Sequence, residues 1–328
     1  MSDKLLVKNI RQLVAVGKDR QLFIRGKENY ADISIFEGTL EDPYNFTVDV
    51  NGKISSIFRS SEKTYDESSA ASIVDAEFKV VIPGLVDSHT HPVWDGDRVH
   101  EFAMKLEGAS YMDIHNIGGG IHYTCRATKA AKQETLEQLL LDRLNQMLSL
   151  GSTTVECKSG YGLEIETELK MLRTIHAVKA KSKQRLTSTY LGPHAIPQGK
   201  NSQEQTEIII RDHFKALKNA IDENQISVDQ IDAFCETGVF SVEQTKAIFK
   251  AAREQGLSQS LNVHVDELTA LGGAEAMAVL ENCRALSHLE ECSDEGVKAM
   301  SENDVAAVLL PTTALQLKLS KYWDQIYK

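Results

Sequence analysis

Two histidines spaced i, i+2, His89 and His91, follow the apolar run Val80-Val-Ile-Pro-Gly-Leu-Val86. On an extended strand such residues project to the same face, so two imidazoles there can grip one metal ion from one side. An H-x-H pair alone is a weak signal, since a strand histidine is commonly a buried ring hydrogen-bonded to backbone. Position strengthens it: the pair stands at the end of an apolar strand, next to Asp87. His264, in Asn262-Val-His-Val-Asp-Glu267, ends a later apolar run, where a third ligand would sit. His288, in Ala285-Leu-Ser-His-Leu-Glu290, ends the next one. Four histidines at three strand ends read as a metal site.

These side chains need elements that bring them together. From Val80 onward the sequence alternates strand and helix. Candidate strands are Val80–Val86, Thr153–Cys157, Leu186–Leu191, Gln230–Phe234, Leu261–Val265, Ala285–Leu289 and Val305–Leu310. Between them, Leu136, Leu139, Leu140, Leu144, Met147 and Leu148 mark one amphipathic helix that Gly151 ends. Leu169, Leu172 and Ile175 mark a second, and Ile209, Ile210, Phe214, Leu217 and Ile221 a third. Ser241-Val-Glu-Gln244 has the form of a capping box, and Ser293 can cap another helix.

Such alternation demands parallel crossovers, in an open doubly wound sheet or a (β/α)₈ barrel. Polar residues at the ends of several different strands (His89/His91, Glu156/Lys158, His194, Glu236, His264/Glu267, His288) favour the barrel, whose loops converge on one face. The first eighty residues differ. Short β-favouring runs around Asn51-Gly52, a hairpin signal, read as a small β module. The expected organisation is a β-sandwich-like module over residues 1–80 and an α/β barrel over 81–328.

Composition narrows the function classes. The 328 residues are 42% hydrophobic and 25% charged, as in ordinary globular chains. A net charge of -11 argues against a nucleic-acid partner, because phosphate neutralisation needs clustered cations. No apolar stretch is long enough for a membrane span, and Met1 to Leu13 lacks an uninterrupted apolar region for a secretory signal. The five cysteines are scattered and odd in number, which reads as free thiols in a reducing, cytoplasmic setting. Cys157 and Cys235 adjoin the site and read as buried, inert thiols.

Pro83-Gly-Leu-Val-Asp-Ser-His-Thr-His91 resembles the first-strand signature of the amidohydrolase superfamily. Five narrower stretches resemble the imidazolonepropionase family: His91 to Phe102, Gly118-Gly-Gly-Ile121, Glu156 to Leu163, Gly192-Pro-His-Ala-Ile-Pro197 and Ser287-His-Leu-Glu290. The resemblance runs from about residue 75 to about 315. It implies that His89, His91 and His264 bind one zinc or iron ion, since imidazole suits both. It implies hydrolysis of the cyclic amide of 4-imidazolone-5-propanoate to N-formimidoyl-L-glutamate, in histidine degradation, by a metal-activated water. Glu267 is similar to the family's glutamate that meets the substrate ring and attacking water. His288 would lie over the same carbonyl. The substrate's carboxylate tail requires a cation, for which Arg98 is the matching candidate. Tyr161 and His194 match positions that contact substrate. The family also suggests a homodimer.

Binuclear relatives carry a bridging lysine at the end of strand four; here Cys235 and Glu236 follow that strand and Lys158 lies on strand two, which favours one metal. The Gly118-Gly119-Gly120 run reads as an active-site loop. The family's eighth strand, with its metal-binding aspartate, has no match after Leu310, and Asp304 and Asp324 do not replace it. The expectation is therefore a C-terminally truncated chain with seven of eight strands and impaired activity. Two alternatives stay open: another cyclic amidohydrolase or deaminase, or a non-catalytic truncated product.

Overall fold

A computed structural model describes residues 3–15, 33–108, 119–257 and 260–317. The chain divides into two compact units, Met1–Gly84 and Leu85–Lys328.

The first unit contains β1 (Leu5–Ile10), β2 (Gln12–Val14), β3 (Ile35–Glu37), β4 (Tyr44–Val48), β5 (Ile54–Arg59), β6 (Ile73–Asp75) and β7 (Val80–Val81). One sheet runs β5-β4-β1-β6 and a second β3-β2-β7. Strands β4 and β5 form the hairpin expected around Asn51-Gly52. Asp49 Oδ1 accepts from the Asn51 and Lys53 amides, and Gly52 takes φ +77°, a left-handed geometry that glycine adopts without a Cβ clash. Val7, Ile10 and Leu13 form the buried core of this unit.

The run Val80–Val86, read above as a single strand, is two. Val80–Val81 pairs with Gln12 and Leu13, whereas β8 (Leu85–Asp87) pairs with Ser152, Thr154 and Val155 of the second unit. Pro83-Gly84 lies between them, and proline cannot donate to a sheet ladder. The division between units accordingly falls at 84/85, not at 80/81.

The second unit continues through α1 (Val99–Leu106), α2 (Ile121–Ala130), α3 (Gln133–Ser149), β9 (Ser152–Lys158), α4 (Ile165–Lys179), β10 (Arg185–Tyr190), α5 (Ser202–Ile208) and α6 (Phe214–Asp222). Then come β11 (Gln230–Ile231), β12 (Phe234–Cys235), α7 (Val242–Glu254), β13 (Leu261–Val265), α8 (Gly273–Ala278), β14 (Cys283–His288), α9 (Asp294–Glu302), β15 (Ala306–Val308) and α10 (Pro311–Leu317). The sheet order is β15-β14-β13-β11-β10-β9-β8, with β12 continuing β11 after an interruption at Asp232-Ala233. Every pairing in it is parallel.

This sheet is curled. Strands β8 and β14 lie near opposite ends of the hydrogen-bonded order, yet His89 Nδ1 is 2.9 Å from Ser287 Oγ. A flat sheet would hold them about 24 Å apart, five strand spacings. Helices pack by the faces anticipated: Leu136, Leu140 and Leu144 of α3 are fully buried, each contributing roughly 1.5–3 kcal/mol. The Ser241–Gln244 capping box opens α7 reciprocally, and Ser293 Oγ accepts from the Gly296 amide to open α9. The third anticipated helix is interrupted by a wide π turn over Ile209–His213, which presents His213 Nδ1 to the Tyr190 hydroxyl at 2.7 Å.

Candidate active site

Curling gathers the strand ends. His91 Nε2 lies 3.3 Å from His89 Nε2 and 3.2 Å from His264 Nε2. Among the described residues, these three are the group whose nitrogens, all within 4.8 Å of one another, could hold a metal ion. The spacing fits. Two nitrogens each about 2.1 Å from a shared zinc ion subtend roughly 100° at it when they stand this far apart. The protonation pattern fits too. His264 Nδ1 faces Asp232 Oδ1 at 3.0 Å, which puts the ring proton on Nδ1 and leaves the Nε2 lone pair pointing at the other two rings. Burial, reinforced by neighbouring His194, His264 and Lys158, drives the pKa of His91 well below its ordinary value. Burial does the same to His89 and His264. Neutral imidazoles are the ligand form.

Of the other anticipated residues, His288, His194 and Tyr161 flank this tripod, and Glu267 stands against His288. The His288 ring lies 5.3 Å from that of His89 and 5.2 Å from that of His264. Its backbone, with that of Leu289, has positive φ (78° and 69°), a strained turn for side chains with a Cβ. Glu267 Oε1 is 3.4 Å from His288 Nδ1. Burial pushes the Glu267 carboxyl up to about 7, with Glu290 and Glu236 acting the same way and His288 opposing.

His194 stacks on His91 at 5.0 Å and gives its Nδ1 proton to the Gly160 carbonyl, 2.8 Å away; burial lowers its pKa to about 4. Tyr161 lies 5.8 Å from His91 and 5.7 Å from His194, ring to ring, and burial raises its hydroxyl to about 12. Arg98 donates through Nε to Glu101 Oε2 at 2.7 Å. The Gly120 amide donates to the other oxygen of Glu101, so this glycine serves the Arg98 anchor. Gly118 and Asp324 lie outside the described residues. Glu236, just after β12, holds the chain after β13 by accepting from the Leu268 amide and the Thr269 hydroxyl, and also accepts from the adjacent Thr237 amide. Cys157 and Cys235 are buried thiols with raised pKa values, about 11 for Cys235.

Two residues, Asp232 and Glu168, escaped the sequence reading. Lys158, fully buried, places Nζ 2.7 Å from both Glu156 Oε1 and Asp232 Oδ2. Glu156 and Lys158 were visible as polar strand-end residues, but Asp232 sits in a strand interruption with no local signal. Glu168, also fully buried, accepts from the Gly160, Gly162 and Leu163 amides and shapes the loop that carries Tyr161.

No protein-family model matches the chain. Among solved structures it resembles a guanine deaminase from C. acetobutylicum with bound guanine, at TM-score 0.61 and 15% identity, over 98% of this chain and 72% of that one. It also resembles a 5-methylcytosine deaminase from Klebsiella pneumoniae, at TM-score 0.60 and 15% identity, over 94% and 66%. At such identity the likeness is one of fold: an α/β architecture with a curled parallel sheet flanked by helices.

Sequence relatives are nearer. The chain is 46% identical over 317 residues to a probable imidazolonepropionase of Nematostella vectensis, covering 96% of this chain and 73% of the relative. It is 47% identical over 320 residues to one of Dictyostelium discoideum (96% and 72%), and 42% identical over 319 residues to one of Homo sapiens (97% and 73%). The chain belongs to the imidazolonepropionase family of hydrolases.

Proposed function

We propose that this chain opens the cyclic amide of 4-imidazolone-5-propanoate by adding water, giving N-formimidoyl-L-glutamate, a step of histidine degradation. The observation that carries this reading is the convergence of three imidazole Nε2 atoms beside a carboxyl poised near neutrality. The family supplies the substrate.

His89, His91 and His264 would hold one zinc or iron ion, which supplies Lewis acidity towards water and the amide carbonyl. Glu267, with its pKa near 7, takes the proton of the attacking water as the carbon–oxygen bond forms. The same carboxyl then returns that proton to the ring nitrogen as the carbon–nitrogen bond breaks. His288 stands beside Glu267 and faces the tripod, placed to steady negative charge growing on the carbonyl oxygen. Arg98, held through Nε by Glu101, offers its Nη edge to the propanoate. The Tyr161 and His194 rings flank the tripod on the His91 side, where they would meet the substrate.

Among the described residues no helix is long and apolar enough to cross a membrane. The five cysteines are free and buried, which supports a reducing cytoplasmic setting.

The test is direct. Purified chain supplied with zinc or iron is incubated with 4-imidazolone-5-propanoate, and the gain of one water is followed by mass spectrometry. Ring opening that stops on chelation is expected. Failure to open the ring at full metal occupancy would overturn the reading.

A further inference from the structure

The buried cation Lys158 joins the two halves of the candidate metal site. On one side it meets Glu156 Oε1 at 2.7 Å. The other oxygen of Glu156 accepts from the Thr90 amide at 3.2 Å, and the Thr90 hydroxyl donates to the Glu156 carbonyl at 2.6 Å. Thr90 is the residue between His89 and His91. On the other side Lys158 meets Asp232 Oδ2 at 2.7 Å, while Asp232 Oδ1 faces His264 Nδ1 at 3.0 Å. All of this is closed to solvent: Lys158 and Asp232 have side-chain exposures of 0%, and Glu156 one of 6%.

An ammonium has three donors and no acceptor, so it can take only an oxygen from residue 232. Carboxylate oxygens are equivalent, and with aspartate the second one remains to accept from His264. We propose that Lys158 is a positioning residue: it holds one oxygen of Asp232 so that the other is aimed at His264 Nδ1, and thereby keeps the ring proton on Nδ1 and the Nε2 lone pair free. This rests on the metal-site reading above and adds to it a role for Lys158.

The consequence is specific. In Asp232→Asn, Lys158 claims the amide oxygen and turns the NH₂ towards His264 Nδ1. That nitrogen must then accept, the proton moves to Nε2, and the ligand lone pair is lost. In Asp232→Asn combined with Lys158→Met, nothing claims the oxygen. The amide can flip, accept from Nδ1, and restore the lone pair on Nε2.

The experiment uses the full chain with ¹⁵N-labelled histidine, and His264 is assigned by comparison with His264→Gln. Tautomers are read by NMR without metal, and Co(II) affinity by chelator competition. The wild-type chain should show Nδ1–H. Asp232→Asn should show Nε2–H and bind Co(II) at least about 100-fold more weakly, the upper end for such outer contacts. The double variant should regain Nδ1–H and recover at least about tenfold of that loss. An Asp232→Asn chain that keeps Nδ1–H, or a folded double variant no better than the single one, overturns the proposal. If the double variant does not fold, the tautomer in Asp232→Asn alone decides. A wild-type chain that binds no Co(II) would sink the metal-site reading, and the tautomers would still decide the part of Lys158.

Discussion

His288 Nδ1 stands 3.4 Å from Glu267 Oε1, and both side chains are largely withdrawn from solvent. An imidazole beside a carboxyl with a pKa near 7 makes a pair that can pass protons at neutral pH. If Glu267 accepts a proton in the rate-limiting step, kcat/KM should climb about tenfold per pH unit on the acid side and level off above about pH 7. Glu267→Gln should lower kcat by roughly 10²–10⁴ and remove that acid limb. An unaltered acid limb in the variant would show that another group titrates.

The same carboxyl should weaken the fold at high pH. Its folded pKa is raised above the unfolded value of about 4.3, so between those values the folded state binds more protons and stability falls as pH rises. Below about pH 4 both states are protonated and the penalty vanishes. Glu267→Gln should therefore stabilise the chain above pH 7, by about 4 kcal/mol at most, and far less at pH 4. Urea unfolding at pH 8 and pH 4 measures this. Equal effects at both would refute the burial argument.

Much of the site was legible because strand ends in a parallel barrel converge. The i, i+2 spacing of His89 and His91, and the apolar runs before His264 and His288, sufficed to group four rings from distant parts of the chain. What stayed hidden depends on partners that no local pattern encodes. Val80–Val86 read as one apolar strand, and only pairing with Gln12-Leu13 on one side and Ser152–Val155 on the other divides it. Asp232 lies where β11 breaks off before β12, so no strand periodicity marks it. Glu168 occupies an α4 position whose helix pattern says nothing about the loop its carboxylate receives. The Ser241–Gln244 capping box, the Ser293 cap and the Asn51-Gly52 hairpin were legible because their bonds close within a few residues.

Metal binding should show in stability as well as in turnover. An ion that binds only the folded tripod, present at a hundred times its Kd, adds about 2.7 kcal/mol. Thermal unfolding with and without zinc should shift accordingly for the wild-type chain, and not for His91→Asn or His264→Gln. A shift that survives in both variants would place the bound ion elsewhere.

Arg98 separates tail recognition from chemistry. Arg98→Lys keeps a charge for the buried Glu101 but loses the forked edge, so KM for the propanoate substrate should rise while kcat changes little. Arg98→Ala should raise KM by roughly 100-fold, the equivalent of about 2–3 kcal/mol for a charge-assisted pair. It should hardly affect an imidazolone lacking the tail. Equal losses on both substrates would mean that Arg98 only secures Glu101.

Glu168 and Gly162 test whether the Tyr161 loop is built rigidly. Glu168 Oε1 takes the Gly162 and Leu163 amides at 2.7 and 2.9 Å, and Oε2 takes Gly160 at 3.1 Å. Glu168→Gln would set an NH₂ against one of these donors, and an unsatisfied buried group costs about 1–3 kcal/mol. The Gly160 carbonyl, which holds His194, would lose its support, so KM should rise more than kcat falls. Gly162→Ala disturbs the same loop by sterics alone. Its Cβ would lie 2.5 Å from the Glu168 backbone nitrogen, an atom fixed within α4 that cannot step aside. Both variants should displace Tyr161 and His194 together and raise KM in parallel. If Gly162→Ala is harmless to KM while Glu168→Gln is not, the carboxylate acts on the substrate by some route other than this loop.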